Sequence, residues 1–153
     1  EEVADGVVKL AQGSLGRALR FVQDQEGLTK RQQLATELYL AAQSGRAGRI
    51  VAAAGDAGSD RDEAQEVLEL LWLRLHGELR VAAQRPEVRD SGAVRLLAAL
   101  RSVRDAQGAI RRYTSAPLAL ERMARQLYAA LWASGPSGPS PSRAADGAPR
   151  VTR

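Results

Sequence analysis

Apolar residues recur every three or four positions through the middle of the chain. The longest such stripe lies between Asp60 and Gln84 and consists of Ala64, Leu68, Leu71, Leu75, Leu79 and Ala82. This spacing predicts one amphipathic helix with a buried face. Further apolar residues, among them Trp72, widen that face, so we expect the helix to have neighbours on more than one side. Pro86 then prevents the helix from continuing.

Two helices are predicted before this long one. Thr29 can cap a helix whose apolar residues fall on one stripe and which ends near Gly45. A short apolar helix follows over residues 46–54. The next residues, 55–59, contain two glycines, an aspartate and a serine, and this composition predicts a loop.

Two further helices are predicted after Pro86. Ser91 begins a helix that ends around Tyr113. Pro117 lies in the first turn of the final helix, where its missing N–H removes no helical hydrogen bond. The buried face of that helix is predicted to contain Leu120, Met123, Leu127 and Leu131. No segment alternates with the period of two that is typical of a strand, so we predict an all-α fold.

The two ends of the chain differ from this five-helix region. Residues 1–25 predict a helix-turn-helix that breaks at Gly13, with the second helix running from Ser14 to about Gln25 and Gly27 as its C-cap. Residues 134–153 contain four of the six prolines with glycine and serine between them, so we expect a disordered tail. The chain does not begin with Met, and we expect it to be a piece of a longer protein.

Gly77 and Gly108 lie within predicted helices. Each costs about 1 kcal/mol of helix stability relative to alanine. We therefore expect a neighbouring helix to approach closely at both positions.

Composition excludes several classes of function. The absence of cysteine excludes disulfides, thiolate catalysis and cysteine-ligated zinc. No apolar run approaches the roughly 20 residues that span a bilayer, and the acidic amino terminus lacks the features of a signal peptide. These features predict no membrane partner and a cytoplasmic location. The net charge is +4 and most basic residues are Arg; we assign most of them to solvated helix faces.

Few residues have a pattern that suggests chemistry. His76 is the only histidine and lies in the middle of a helix, which favours a structural role. The three acidic residues of the segment Asp60-Arg61-Asp62-Glu63 fall at a helix start, where the helix dipole accounts for them. Trp72 and Trp132 adjoin leucine-rich stripes, which favours packing over base stacking. We therefore predict no catalytic residue, no metal site and no cofactor, and we interpret the chain as an interaction module.

Two short motifs carry further information. The first is Gly13-Ser14-Leu15-Gly16-Arg17-Ala18-Leu19, in which Ser14 is a good helix N-cap. It is not a P-loop, because it follows no strand and lacks the Lys-Ser/Thr pair. The second is Ser115-Ala116-Pro117-Leu118-Ala119-Leu120-Glu121, at the start of the final helix. In this order the two motifs resemble the carboxy-terminal part of the AAA+ clamp-loader subunits of bacterial DNA polymerase III, in particular the delta-prime class.

The resemblance implies a domain organisation and partners. It implies that residues 1–25 end the AAA+ lid and that residues 28–133 form a helical collar domain, with the tail beyond. Collar domains in this family assemble into a ring that holds a pentamer together. The implied partners are the motor and delta subunits, and, through the full complex, the sliding clamp and DNA.

The first motif departs from that of the ATP-hydrolysing members of the family. Their pattern has an arginine that reaches the γ-phosphate of ATP, and Gly16 takes its place here, with Arg17 one residue later. The resemblance therefore implies a member that has lost ATP hydrolysis and serves as a stator. Gly13 and Ser14 complete this altered lid motif.

Residue type and helix position suggest where neighbouring collars would bind. Interface hot spots are enriched in Trp, Tyr and Arg, which makes Arg125, Tyr128 and Trp132 our interface candidates. Three alternatives stay open. They are the collar of a motor-type (ATPase) subunit, a helical DNA-binding module that uses the Arg excess, and an unrelated helical scaffold.

Overall fold

The computed structural model describes residues 24–84 and 91–133, and within these ranges every regular element is an α-helix. The five helices are α1 (Gln25–Ser44), α2 (Ala47–Ala57), α3 (Arg61–Ala83), α4 (Ser91–Arg111) and α5 (Ala116–Leu131). The all-α prediction is confirmed. The predicted helix-turn-helix of residues 1–25 falls almost wholly outside the described residues, as does the tail 134–153.

One hydrophobic core joins all five helices. Alanine is the commonest residue in it, and the largest fully buried side chains include Leu38, Leu68, Leu75, Ile110 and Leu127. Helix α5 contacts α1, α2 and α4, while α3 packs between α1 and α4. Because alanine lets helix backbones approach one another closely, a core poor in aromatic residues can still be densely packed.

The ends of α3 agree with the prediction from the sequence. The Asp60 carboxylate caps the helix by accepting a hydrogen bond from the backbone N–H of Glu63, with an Oδ1–N distance of 2.8 Å. The Asp60 carboxylate also lies at the positive end of the helix dipole, which favours its negative charge. The side chain of Glu63 also forms an ion pair with Lys30 of α1 at 2.8 Å.

The start of α1 differs from the prediction. Asp24 caps the helix by accepting from the Gly27 N–H at 3.0 Å, so Gly27 lies inside the first turn and is not the C-cap of a preceding helix. Thr29 is also inside α1, not at its start. Arg31 explains the earlier start, since its guanidinium bonds Asp24 at 2.7 Å and Glu66 of α3 at 3.0 Å. These ion pairs join the first turn of α1 to α3.

Helix α2 is longer than predicted. It continues through Gly55, Asp56 and Ala57, which the composition had assigned to a loop. Ala57 is fully buried, so packing against the rest of the bundle outweighs the low helix propensity of its two predecessors. Gly58 then ends the helix where the backbone of Pro117 approaches closely.

A tight turn connects α4 to α5. The N–H of Thr114 bonds the carbonyl of Ala109 and the N–H of Tyr113 bonds that of Ile110, the two bonds of a Schellman motif. Tyr113 occupies the left-handed position of this motif, with φ of 67°, where glycine is usual. The Arg61 guanidinium bonds the Ile110 carbonyl at 2.7 Å, which ties the start of α3 to this turn.

The explanation proposed for Gly77 and Gly108 is wrong. A Cβ at Gly77 would meet nothing within 4 Å, and one at Gly108 would meet only the Arg112 side chain of the same segment. Close approach occurs instead at Gly45, the left-handed C-cap of α1. A Cβ there would lie 2.6 Å from Cε2 of Tyr128.

Candidate interface surface

The outward face of α5 carries an open groove. Its lining residues all belong to α5 and are Leu118, Glu121, Arg122, Arg125, Gln126 and Ala129. A groove lined by one helix is a surface that a neighbouring element could cover, not an enclosed cavity. Leu118 is its main apolar residue and is 63% exposed.

Arg125, the first predicted interface residue, lies in this groove. Its Nη2 and Nε both donate to Oε1 of Glu121, at 2.6 and 3.2 Å. The two residues are four apart on the helix, a spacing at which opposite charges stabilise it modestly. The guanidinium remains exposed, so its ion pair holds it against the helix without hiding it from a partner.

Tyr128, the second predicted interface residue, lies beside the end of α1. Its ring covers Gly45, and it remains 38% exposed. The missing side chain of Gly45 makes room for the ring, so the sequence of the α1–α2 turn fixes where Tyr128 sits. One part of this ring therefore packs within the domain while another part faces outward.

Trp132 belongs to a mixed aromatic and charged cluster. Its ring meets that of Tyr39 edge to face, with centroids 5.5 Å apart. The Arg74 guanidinium lies over the Tyr39 ring, 4.0 Å from its centroid, and the Tyr39 hydroxyl donates to Glu78 at 3.3 Å. Burial and the neighbouring Glu78 carboxylate raise the pKa of Tyr39. Because Trp132 is half-buried in these contacts, it serves the packing of α1, α3 and α5.

The three predicted interface residues are thus divided between two places. Tyr128 and Trp132 lie towards α1, whereas Arg125 lies on the outer face of α5. Sequence reasoning missed Leu118. The sequence could have indicated it, because Leu118 does not share the helical spacing of the buried residues Leu120 and Leu127 and so falls on another face of the helix.

The residues weighed for catalysis have structural surroundings. His76 is half-buried and its ring stacks on Trp72 with centroids 4.9 Å apart. Among residues 24–84 and 91–133, no group of three or more His, Asp or Glu side chains is placed to hold a metal ion. Gly13, Ser14, Gly16 and Arg17 of the lid motif lie outside the described residues.

None of the five described helices combines the length and the apolar composition needed to cross a membrane. Comparisons of the chain with protein-family models, with curated proteins and with solved structures find no match.

Proposed function

We propose that this chain is the carboxy-terminal assembly region of a delta-prime-like subunit of a bacterial clamp loader. In this role residues 28–133 form the collar domain, which binds the collars of the motor and delta subunits. The complex so held together loads the sliding clamp on DNA during replication. The two sequence motifs, in their order, support this proposal together with the all-α fold of residues 24–84 and 91–133.

One structural observation carries the proposal. The second motif, residues 115–121, begins α5, and α5 is the helix that exposes Leu118 in an uncovered groove and Tyr128 beside the end of α1. Leu118 is 63% exposed and lines the groove, so it offers an apolar contact to a neighbouring subunit. The motif and the exposed apolar residues thus belong to the same helix.

We propose a stator and not a motor for this subunit. The support is Gly16, which offers no side chain for the γ-phosphate at the position where motor subunits have arginine. Arg17 comes one residue later in the sequence, and one residue on the predicted helix corresponds to a rotation of about 100°. If the subunit were a motor, the full-length protein would hydrolyse ATP. As a stator, it would not.

The test measures association of this chain with the motor and delta collar domains by size exclusion with light scattering. A defined hetero-oligomer is expected. Leu118→Arg should weaken it by about tenfold or more, because a charge would replace an apolar contact in the interface. Leu118 is better suited to this test than Trp132, whose replacement would also remove its contact with Tyr39.

Val51→Arg is the matched control. Val51 is a half-exposed apolar residue on α2, and the same substitution there should leave association unchanged. Far-UV circular dichroism checks that both variants keep their helices. A wild-type chain that stays monomeric with those partners contradicts the proposed function. Equal weakening by both variants would show that the loss is not specific to α5, and would contradict the assignment of the interface to that helix.

A further inference from the structure

Positive charge is concentrated on α4. The segment from Ser91 to Arg112 contains five arginines and one acidic residue, Asp105. Helix α3, in contrast, has more acidic than basic residues. The positive charge of the chain is therefore not spread evenly over the bundle.

Four of these arginines share one face. Arg101, Arg104, Arg111 and Arg112 are all exposed. At about 100° per residue they fall within an arc of about 100°, opposite the buried residues of α4. They extend over about 16 Å along the helix axis. Asp105 is the carboxylate on this face.

Some other described arginines bind groups of the domain itself. Arg31, Arg74 and Arg125 each form an ion pair with a carboxylate, and Arg61 bonds backbone carbonyls. The side chains of Arg101, Arg104, Arg111 and Arg112 form no hydrogen bond or ion pair with another described residue. Their guanidinium groups are thus available to bind an anion.

Gly108 gives this face its shape. It lies in the middle of the arginine row, and the Arg112 guanidinium folds back over it, with Nη2 3.7 Å from where a Cβ would be. A longer side chain at position 108 would occupy the space that this guanidinium uses. Gly108, where an added Cβ would meet no neighbouring helix, therefore leaves room on this face for the Arg112 guanidinium.

An exposed aromatic ring stands at the end of the row. Tyr113 is 86% exposed and is held in the left-handed conformation of the α4–α5 turn. The Arg61 guanidinium lies over its ring, 4.8 Å from the centroid. With Arg61 on one face, the other face of the ring is open to a stacking partner.

We propose that the face formed by Arg101, Arg104, Arg111, Arg112 and Tyr113 binds single-stranded nucleic acid. Guanidinium groups match phosphate oxygens in geometry and charge, and a row of them can follow successive phosphates. An exposed Tyr ring adds a platform on which an unpaired base stacks. A duplex has its bases already stacked on one another, and so cannot use Tyr113 in this way.

The test uses fluorescence anisotropy of labelled oligothymidine of about 20 nucleotides, longer than the site sizes usual for such surfaces. The triple variant Arg101→Gln, Arg104→Gln and Arg111→Gln should bind about tenfold more weakly. It should also reduce the slope of log affinity against log salt by about 2, because three phosphate contacts are lost.

The matched control is Arg46→Gln, Arg49→Gln and Arg80→Gln, which removes the same charge from exposed arginines outside α4. It should leave the affinity within about threefold and the salt slope nearly unchanged. The cations outside the described residues are identical in the two variants. Equal losses in both would overturn the proposal, as would a wild-type chain that does not bind at about 50 mM salt.

Variants of Tyr113 test whether the surface binds single strands in preference to duplex. Tyr113→Leu should weaken oligothymidine binding by about fivefold while leaving the salt slope unchanged, and Tyr113→Phe should bind like the wild type. A duplex of the same length should bind more weakly than the single strand. Tighter binding of the duplex, or equal affinities for Tyr113→Leu and Tyr113→Phe, contradicts the proposed surface. An acidic peptide that displaces the DNA from every variant alike would also contradict it.

Discussion

At the scale of single residues, Tyr39 of α1 contacts both α3 and the residue that follows α5. Its ring lies between the Arg74 guanidinium of α3 and the Trp132 ring that follows α5, and its hydroxyl donates to Glu78. The hydroxyl bond is long, at 3.3 Å, whereas the ring contacts are close. Most of the stabilisation by Tyr39 therefore comes from its ring.

Tyr39→Phe tests this division. It should lower the free energy of unfolding by only about 0.5 kcal/mol near neutral pH, because the ring contacts remain. The folded-state pKa of Tyr39 is raised above 10.0. Its stabilisation is then fully present below the unfolded pKa and is lost as pH rises through the folded pKa. The difference between the two proteins should narrow in urea unfolding above about pH 10.

A difference in unfolding free energy that stays constant into the alkaline range would contradict this explanation of the raised pKa. A much larger loss near neutral pH would mean that the hydroxyl and not the ring dominates. Trp132 fluorescence provides a second check, since the edge-to-face contact should persist in the phenylalanine variant.

At the scale of helices, the sequence predicted the interiors better than the ends. The apolar stripe of α3 and its Asp60 cap are visible in the sequence because both depend on nearby residues. The start of α1 combines the Asp24 cap with the ion pair between Arg31 and Glu66, a residue 35 positions later in the chain. No local pattern reveals such an ion pair, so Thr29 seemed the better cap.

Replacement by alanine should change the free energy of unfolding in opposite directions at Gly77 and at Gly45. Gly77→Ala should raise the free energy of unfolding by about 0.5–1 kcal/mol, because the new Cβ meets open space and alanine favours the helix. Gly45→Ala should lower it by about 1–2 kcal/mol, since φ is 63° and the Cβ would clash with the Tyr128 ring. Urea unfolding of the two variants measures both changes. A loss of stability in Gly77→Ala would reveal a contact at that face of α3.

At the scale of the whole molecule, the sequence predicts the bundle but not the surfaces that distinguish it. Apolar periodicity gives five helices with a shared core, which the structure has. The arginine count alone suggests solvated faces, and only packing decides which guanidinium groups are used inside the domain. Arg61 and Arg31 bind groups of other helices, whereas the side chains of Arg101 and Arg104 on α4 are exposed to solvent.

A single core that joins all five helices predicts cooperative unfolding. Trp72 lies on α3 and Trp132 just after α5, and both pack against that core, so their fluorescence reports on separated elements. The urea transitions followed by tryptophan fluorescence and by far-UV circular dichroism should coincide. Trp72→Phe, which keeps an aromatic ring, should leave the midpoint of the Trp132 signal within about 0.3 M of the wild-type value. If the Trp132 signal were lost at clearly lower urea than the helical signal, α5 would unfold separately from α3 and α4. The surface on α5 would then belong to a locally unstable element and not to a rigid face of the bundle.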